Sequence, residues 1–295
     1  MILTTTLKAL TAGTMLLLTA SHGSIFDSRI FEPEKMPASL NWGDVPEPSE
    51  ISVTTSDGLI LKGYRWKPRC KSHVALVFFH GNSGNRFDAA NLAAPLRRDD
   101  VDLIVASYRG YGDNPGQPDE EGLYADAEAF VKQAKADRPD KVFLFGYSLG
   151  GAVALNATTR VRVNGIATLG TFTDLRSAAP RLARAFIPYE FDNLKIAKSI
   201  NTPWLLMHGT KDEVVPVKHA QRLADAAGNK AVFVRLQGAP HRILLDQIAQ
   251  RIWTQLGSMS LSDSEDNVSP STEIQPADSQ WNYLARDPQC DRILS

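Results

Sequence analysis

Two cysteines in 295 residues, Cys70 and Cys290, are too few and too far apart for a zinc knuckle or a closely spaced redox pair. In an oxidising compartment they allow at most one disulfide, tying the C-terminal tail to the rest; two unpaired thiols are the equal alternative. Charge of one sign is lacking as well. Lys and Arg number 32 against 33 Asp and Glu, with no basic run, so the electrostatic footprint of a nucleic-acid binder is absent. No internal repeat is visible. The apolar stretch Ala9 to Ala20 falls short of the ~20 residues that span a bilayer comfortably. It follows Lys8 and precedes Ser21-His22-Gly23-Ser24, which is the layout of an export signal: basic start, short apolar core, small-residue zone. Residues 1–23 therefore read as a signal peptide or an uncleaved anchor. The expected setting is exported (periplasmic or secreted) or membrane-anchored through the N-terminus, and not cytoplasmic.

What is present is the composition of a globular protein, 43% hydrophobic and 22% charged. Four prolines (Pro33, Pro37, Pro46 and Pro48) interrupt residues 24–50, which read as a linker lying against the domain. Two β-rich runs, 51–55 and 59–66, flank Asp57-Gly58 and predict a hairpin. Continuous apolar runs then begin at Val74, Val101, Val142, Ile166, Trp204 and Val232, as for strands buried on both faces. Stretches of helical spacing separate them, at 87–96, 122–136, 152–159 and 219–227, with a last one at 243–256. This alternation predicts an α/β fold with a mostly parallel central sheet, helices on both faces and a leading antiparallel hairpin, over residues 51–256. Residues 171–201 form a short insertion, the candidate small lid. The tail, 257–295, is dominated to about Gln280 by Ser, Asp, Glu, Asn and Pro, and is expected to be largely disordered.

Gly146-Tyr147-Ser148-Leu149-Gly150 carries the strongest chemical signal. It follows one predicted strand and opens a predicted helix, the context in which G-x-S-x-G lifts a serine hydroxyl clear of a sheet. Serine is a weak nucleophile and needs a base oriented by a third group. In this arrangement the partners come later in the chain, acid before histidine. Of six histidines, His22 lies in the signal region, while His73 and His80 precede the serine. His208 ends a strand, where it is read as packing or hydrogen-bonding, and His219 sits on a predicted helix, read as a solvated face. His241 follows the last predicted strand and is the candidate base. Asp212, in the loop after the penultimate strand, is the candidate acid; Glu213 is the runner-up and Asp174 third. The backbone N–H groups of Asn82 and Leu149 are the candidate oxyanion donors, because His80-Gly81-Asn82-Ser83-Gly84 follows a strand end and its glycines permit close approach. His80 reads as a residue that orients this loop.

The segments Phe79-His80-Gly81-Asn82-Ser83-Gly84-Asn85, Tyr108-Arg109-Gly110-Tyr111-Gly112-Asp113, Glu121-Gly122-Leu123-Tyr124-Ala125-Asp126 and His208-Gly209-Thr210-Lys211-Asp212-Glu213-Val214-Val215-Pro216 resemble the Bem46-like branch of the α/β-hydrolase superfamily. That branch includes alpha/beta hydrolase domain-containing proteins of types 13 and 17. The resemblance runs from about Ile51 to Leu256. It implies an α/β-hydrolase fold and a serine hydrolase acting on a carboxylic ester or thioester, with a small-molecule acyl substrate, lipids included. It also implies structural roles near the site for Arg109, Tyr111 and Asp126. Pro240 departs from the family, which carries a small residue before its histidine. No metal or organic cofactor is implied, because a Ser–His–Asp relay needs none. The competing class is a catalytically silent fold serving as a ligand- or protein-binding module; such a module has no chemical need for all three residues.

Overall fold

Val74-Ala75-Leu76-Val77-Phe78-Phe79 offers no polar side chain to either face, and it forms a strand buried at every position, β4 (Val74–Phe79). The computed structural model describes residues 30–69, 73–178, 184 and 187–259. The expected signal peptide at 1–23, both cysteines and the tail beyond Met259 lie outside the described residues.

Strands β2 (Ser49–Thr54), β3 (Ile60–Trp66), β6 (Val101–Val105), β7 (Lys141–Tyr147), β8 (Gly165–Leu169), β9 (Trp204–Gly209) and β10 (Ala231–Leu236) join β4 in one eight-stranded sheet of order β10-β9-β8-β7-β4-β6-β3-β2. The pairs from β10 to β6 are parallel; β3 runs antiparallel to both β6 and β2. The hairpin and the parallel sheet are thus those read from the sequence.

Side chains alternate across the sheet because successive Cβ atoms of a strand point to opposite faces. Ala75, Val77 and Phe79 join one buried cluster with α2 (Glu120–Ala136), α3 (Leu149–Arg160) and α6 (Lys218–Ala227). Val74, Leu76 and Phe78 join the other with α1 (Arg86–Ala93) and α7 (Ala249–Met259). The α2 helix shows how the sequence dictates this. Leu123, Ala127, Phe130, Val131 and Ala134 recur at helical spacing and are buried, while Asp119 caps the first turn by accepting from the Gly122 N–H at 2.8 Å.

Three features differ from expectation. The final helix does not begin at Ile243: a 3-10 turn (Leu245–Gln247) precedes α7, because Ile243 and Leu245 are buried in an irregular segment leading out of the His241 loop. Residues 257–259, assigned to the disordered tail, instead finish α7. The Pro-rich stretch contains a two-residue strand, β1 (Glu32–Pro33), pairing in parallel with β5 (Ser83–Gly84). Within 171–201 lie α4 (Leu175–Ala178) and α5 (Asn193–Ser199).

The chain steps from β4 to β6 on one side and then crosses back to β7 on the other. The crevice at the carboxyl ends of β4 and β7 is therefore a topological switch point, where open α/β sheets bind ligands.

Candidate active site

Both loops that leave this crevice carry candidate residues. Ser148 sits between β7 and α3 with φ 52° and ψ −115°, a left-handed conformation that costs a non-glycine residue on the order of 1–3 kcal/mol. Its neighbours explain the flanking glycines. A Cβ at Gly146 would strike the backbone of Gly150 and Gly151; one at Gly150 would strike the carbonyls of Phe79 and His80. The elbow is thereby pressed against the end of β4, which brings the loop starting at His80 beside Ser148.

His241 Nε2 lies 3.1 Å from Ser148 Oγ, and His241 Nδ1 lies 2.7 Å from Asp212 Oδ2. The three residues chosen from the sequence are thus brought together in one hydrogen-bonded line. A carboxylate can only accept, so Nδ1 carries the proton and Nε2 presents its lone pair to the serine hydroxyl. The Asp212 side chain is fully buried. Burial alone would raise its pKa, but hydrogen bonds from His208, His241 and the Val215 N–H outweigh it and hold the carboxyl well below the usual range. Its other oxygen accepts from the N–H groups of Val214 (2.9 Å) and Val215 (2.7 Å). Glu213 is exposed, and Asp174 is engaged by the Ser177 N–H at 2.6 Å and the Thr173 hydroxyl at 3.1 Å. Pro240 leaves His241 in place beside Ser148. The loop before His241 is tied by the Lys211 N–H to Ala239 O at 3.0 Å, and Tyr147 donates to His241 O at 3.2 Å.

Asp212 is the partner that sequence reasoning missed for His208, which was expected only to pack or hydrogen-bond near its strand end. Its Nε2 lies 2.7 Å from Val215 O and 3.1 Å from Asp212 Oδ2, with the side chain fully buried. The signal available was its position four residues before Asp212 at a strand end. His219 corrects an expectation: it is buried, not on a solvated face, with Nδ1 2.9 Å from the Thr173 hydroxyl.

Burial pushes the pKa of His80 down to about 4, so the ring is neutral near pH 7. Its Nδ1–H donates to Gly81 O at 2.8 Å. In a trans peptide the carbonyl and the next N–H point in opposite directions, so holding Gly81 O fixes the direction of the Asn82 N–H. Among the described residues, neither the Asn82 nor the Leu149 N–H donates to a protein acceptor. Arg109 pairs with Asp126 (Nε–Oδ1 2.9 Å) and Asp57 (NH1–Oδ2 2.9 Å), tying the loop after β6 to α2 and the hairpin turn.

A cavity of about 880 Å³ opens over Ser148 and His241. Phe172, Leu175, Ala178 and Ile187, all from the insertion, line it together with Leu92 and Ile243.

The model of the Alpha/beta hydrolase family matches residues 76–197. An uncharacterized protein of Mycobacterium tuberculosis, Rv2307c, is 30% identical over 237 residues, covering 74% of this chain and 84% of its own. Human alpha/beta hydrolase domain-containing protein 17B is 27% identical over 180 residues, 59% of this chain and 62% of its own. Among solved structures, the Pyrococcus furiosus esterase Pf2001 superposes with a TM-score of 0.62 at 17% identity, over 77% of this chain and 97% of that one. With its switch-point crevice and serine elbow, the chain belongs to the alpha/beta hydrolase family, as a Bem46-like member.

Proposed function

We propose that this protein is a serine hydrolase that cleaves a carboxylic ester or thioester through an acyl-enzyme intermediate. One observation carries the reading: the line from Ser148 Oγ through His241 to Asp212, at 3.1 and 2.7 Å, at the floor of a cavity walled largely by apolar side chains. His241 takes the Ser148 proton as Oγ attacks the acyl carbon, and Asp212 stabilises the imidazolium. The oxygen of the tetrahedral adduct is met by the N–H groups of Asn82 and Leu149, each contributing about 3 kcal/mol. His241 then protonates the departing alcohol or thiol. Water attacks the acyl-enzyme by the same route in reverse, freeing the acid and Ser148. The apolar wall supports an acyl group as the part of the substrate that is buried. The sequence of residues 1–23 supports an exported or membrane-associated setting; among the described residues no helix is long and apolar enough to cross a membrane.

The test is labelling of purified protein by a fluorophosphonate, comparing wild type with Ser148→Ala. Labelling of wild type alone, followed by turnover of an ester and thioester panel, is the expected result. Well-folded wild type that neither labels nor turns over the panel would sink the reading and leave a silent binding fold.

A further inference from the structure

The short strand β1 puts a segment from the N-terminal side of the hairpin against the loop that carries Asn82. We propose that residues Phe31 to Lys35 form a strap that positions the oxyanion hole. The inference rests on the assignment of the Asn82 N–H as an oxyanion donor.

The strap's polar contacts converge on that loop and its neighbour. The Glu32 N–H donates to Asn82 O at 2.8 Å, and the Glu34 N–H donates to Gly84 O at 2.9 Å. The Asn85 side-chain amide donates to Lys35 O at 3.2 Å, and the Gly112 N–H donates to Glu34 O at 3.0 Å. Glu32 and Glu34 lie two residues apart, so their N–H groups face the same way. Pro33, between them, lacks an N–H where none is needed. The strap is seated by Phe31, 1% exposed and edge-on to Tyr189 at 5.3 Å and Phe191 at 6.4 Å.

Asn82 O also accepts from the Tyr111 hydroxyl at 2.6 Å, so both of its lone pairs are filled. The two peptide planes that meet at Asn82 are then held separately. His80 grips the one before it through Gly81 O, and the strap and Tyr111 grip the one after it. Without the strap, Gly81-Asn82-Ser83-Gly84, which has two glycines, keeps the His80 and Tyr111 contacts but loses the strap's N–H donors at Asn82 O and Gly84 O; Gly84, at φ +88°, is in a conformation that only glycine adopts freely. Oxyanion donors act because they are fixed before the charge develops, and a two-residue pairing is too short to contribute much core. Its consequence is orientation. The strap also reaches the substrate side, since Glu34, and Ile30 just before the strap, line the cavity.

The test compares Glu32→Pro, which deletes the N–H to Asn82 O, with Glu32→Ala, which keeps it. Steady-state turnover of an acetyl ester, fluorophosphonate labelling rate and amide hydrogen exchange of residues 80–85 are measured on each folded variant. Glu32→Pro is expected to lower kcat and labelling about tenfold, with KM changed less than twofold and faster exchange at 82–85. Glu32→Ala should match wild type in all three. Phe31→Ala, which loosens the seat and keeps every backbone donor, should also lower kcat severalfold at constant KM, and it decides the matter if Glu32→Pro does not fold. Wild-type kcat and exchange in the folded variants would overturn the strap's role. A wild type that neither labels nor turns over would count against the hydrolase reading instead, and the exchange comparison would still decide whether the strap orders the loop.

Discussion

A carboxylate held by two backbone N–H groups and two imidazoles has little freedom to be anything but an anion, and Asp212 is in that position. Asp212→Asn keeps the shape but offers an N–H where His241 Nδ1 needs an acceptor, so the wrong tautomer faces Ser148. Turnover is expected to fall by roughly three to four orders of magnitude, while Glu213→Gln stays within about twofold of wild type. Initial rates on one activated ester distinguish them, and a loss at Glu213 instead would move the acid by one residue. Protonation adds a second prediction. Burial lowers the pKa of His80 from 6.5 to about 4 and also lowers that of His219, so the folded protein resists a proton that the unfolded chain accepts. The stabilising contribution is complete above pH 6.5 and is lost as pH falls towards 4. Asp212, lowered from 3.8, acts in the same direction at still lower pH. Urea unfolding should show stability declining between pH 6.5 and 4.5. His80→Asn should have a shallower slope over that interval; an unchanged slope would mean that His80 does not contribute.

At the scale of elements, the β7–Ser148–α3 elbow is constrained by what lies across from it. Gly150 has no space for a methyl group against the Phe79 and His80 carbonyls, and backbone cannot step aside as a flexible side chain can. Gly150→Ala is therefore expected to cost about 1–3 kcal/mol, lowering Tm by roughly 2–12 °C. It should also abolish fluorophosphonate labelling at temperatures where the protein is still folded; full labelling would show that the loop after β4 has room to yield. Such elements were legible in the sequence. Strands buried on both faces appear as unbroken apolar runs, and β4 begins and ends where Val74 and Phe79 do. The elbow showed as glycines at fixed spacing, and His241 and Asp212 were found because each hangs from a strand end in a known order. What escaped had no local signature. The β1–β5 pairing involves two residues on each side, too few for any period, and α4 and α5 have four and seven residues. His219 looked solvated because its partner, Thr173, comes from the insertion 46 residues earlier. His208 showed that it would pack or hydrogen-bond near its strand end but not with what, since only the folded Asp212 loop turns the carboxylate back onto it.

The whole molecule adds something that no single segment holds. The cavity wall takes Leu92 from α1, Phe172, Leu175, Ala178 and Ile187 from the insertion, and Ile243 from the segment before α7. Val214 and Leu244 stand at its rim, 62% and 63% exposed, either side of His241 in sequence. With about 880 Å³ available, an acyl chain can enter well beyond its carbonyl and leave water as it does so. Each methylene buried contributes about 0.8 kcal/mol, which corresponds to roughly a fourfold gain in kcat/KM. A series of p-nitrophenyl esters from acetyl upwards should therefore show kcat/KM rising by up to about fourfold per methylene until the cavity is filled. Because the gain comes from binding carried into the transition state, it should not appear with chains too long to fit. Ile187→Trp, which adds bulk to the insertion wall, should move the break to shorter chains and leave the acetyl ester almost unaffected. A flat series in wild type would show that the acyl group does not occupy this cavity. A break unmoved by Ile187→Trp would place the chain elsewhere in the cavity, away from Ile187.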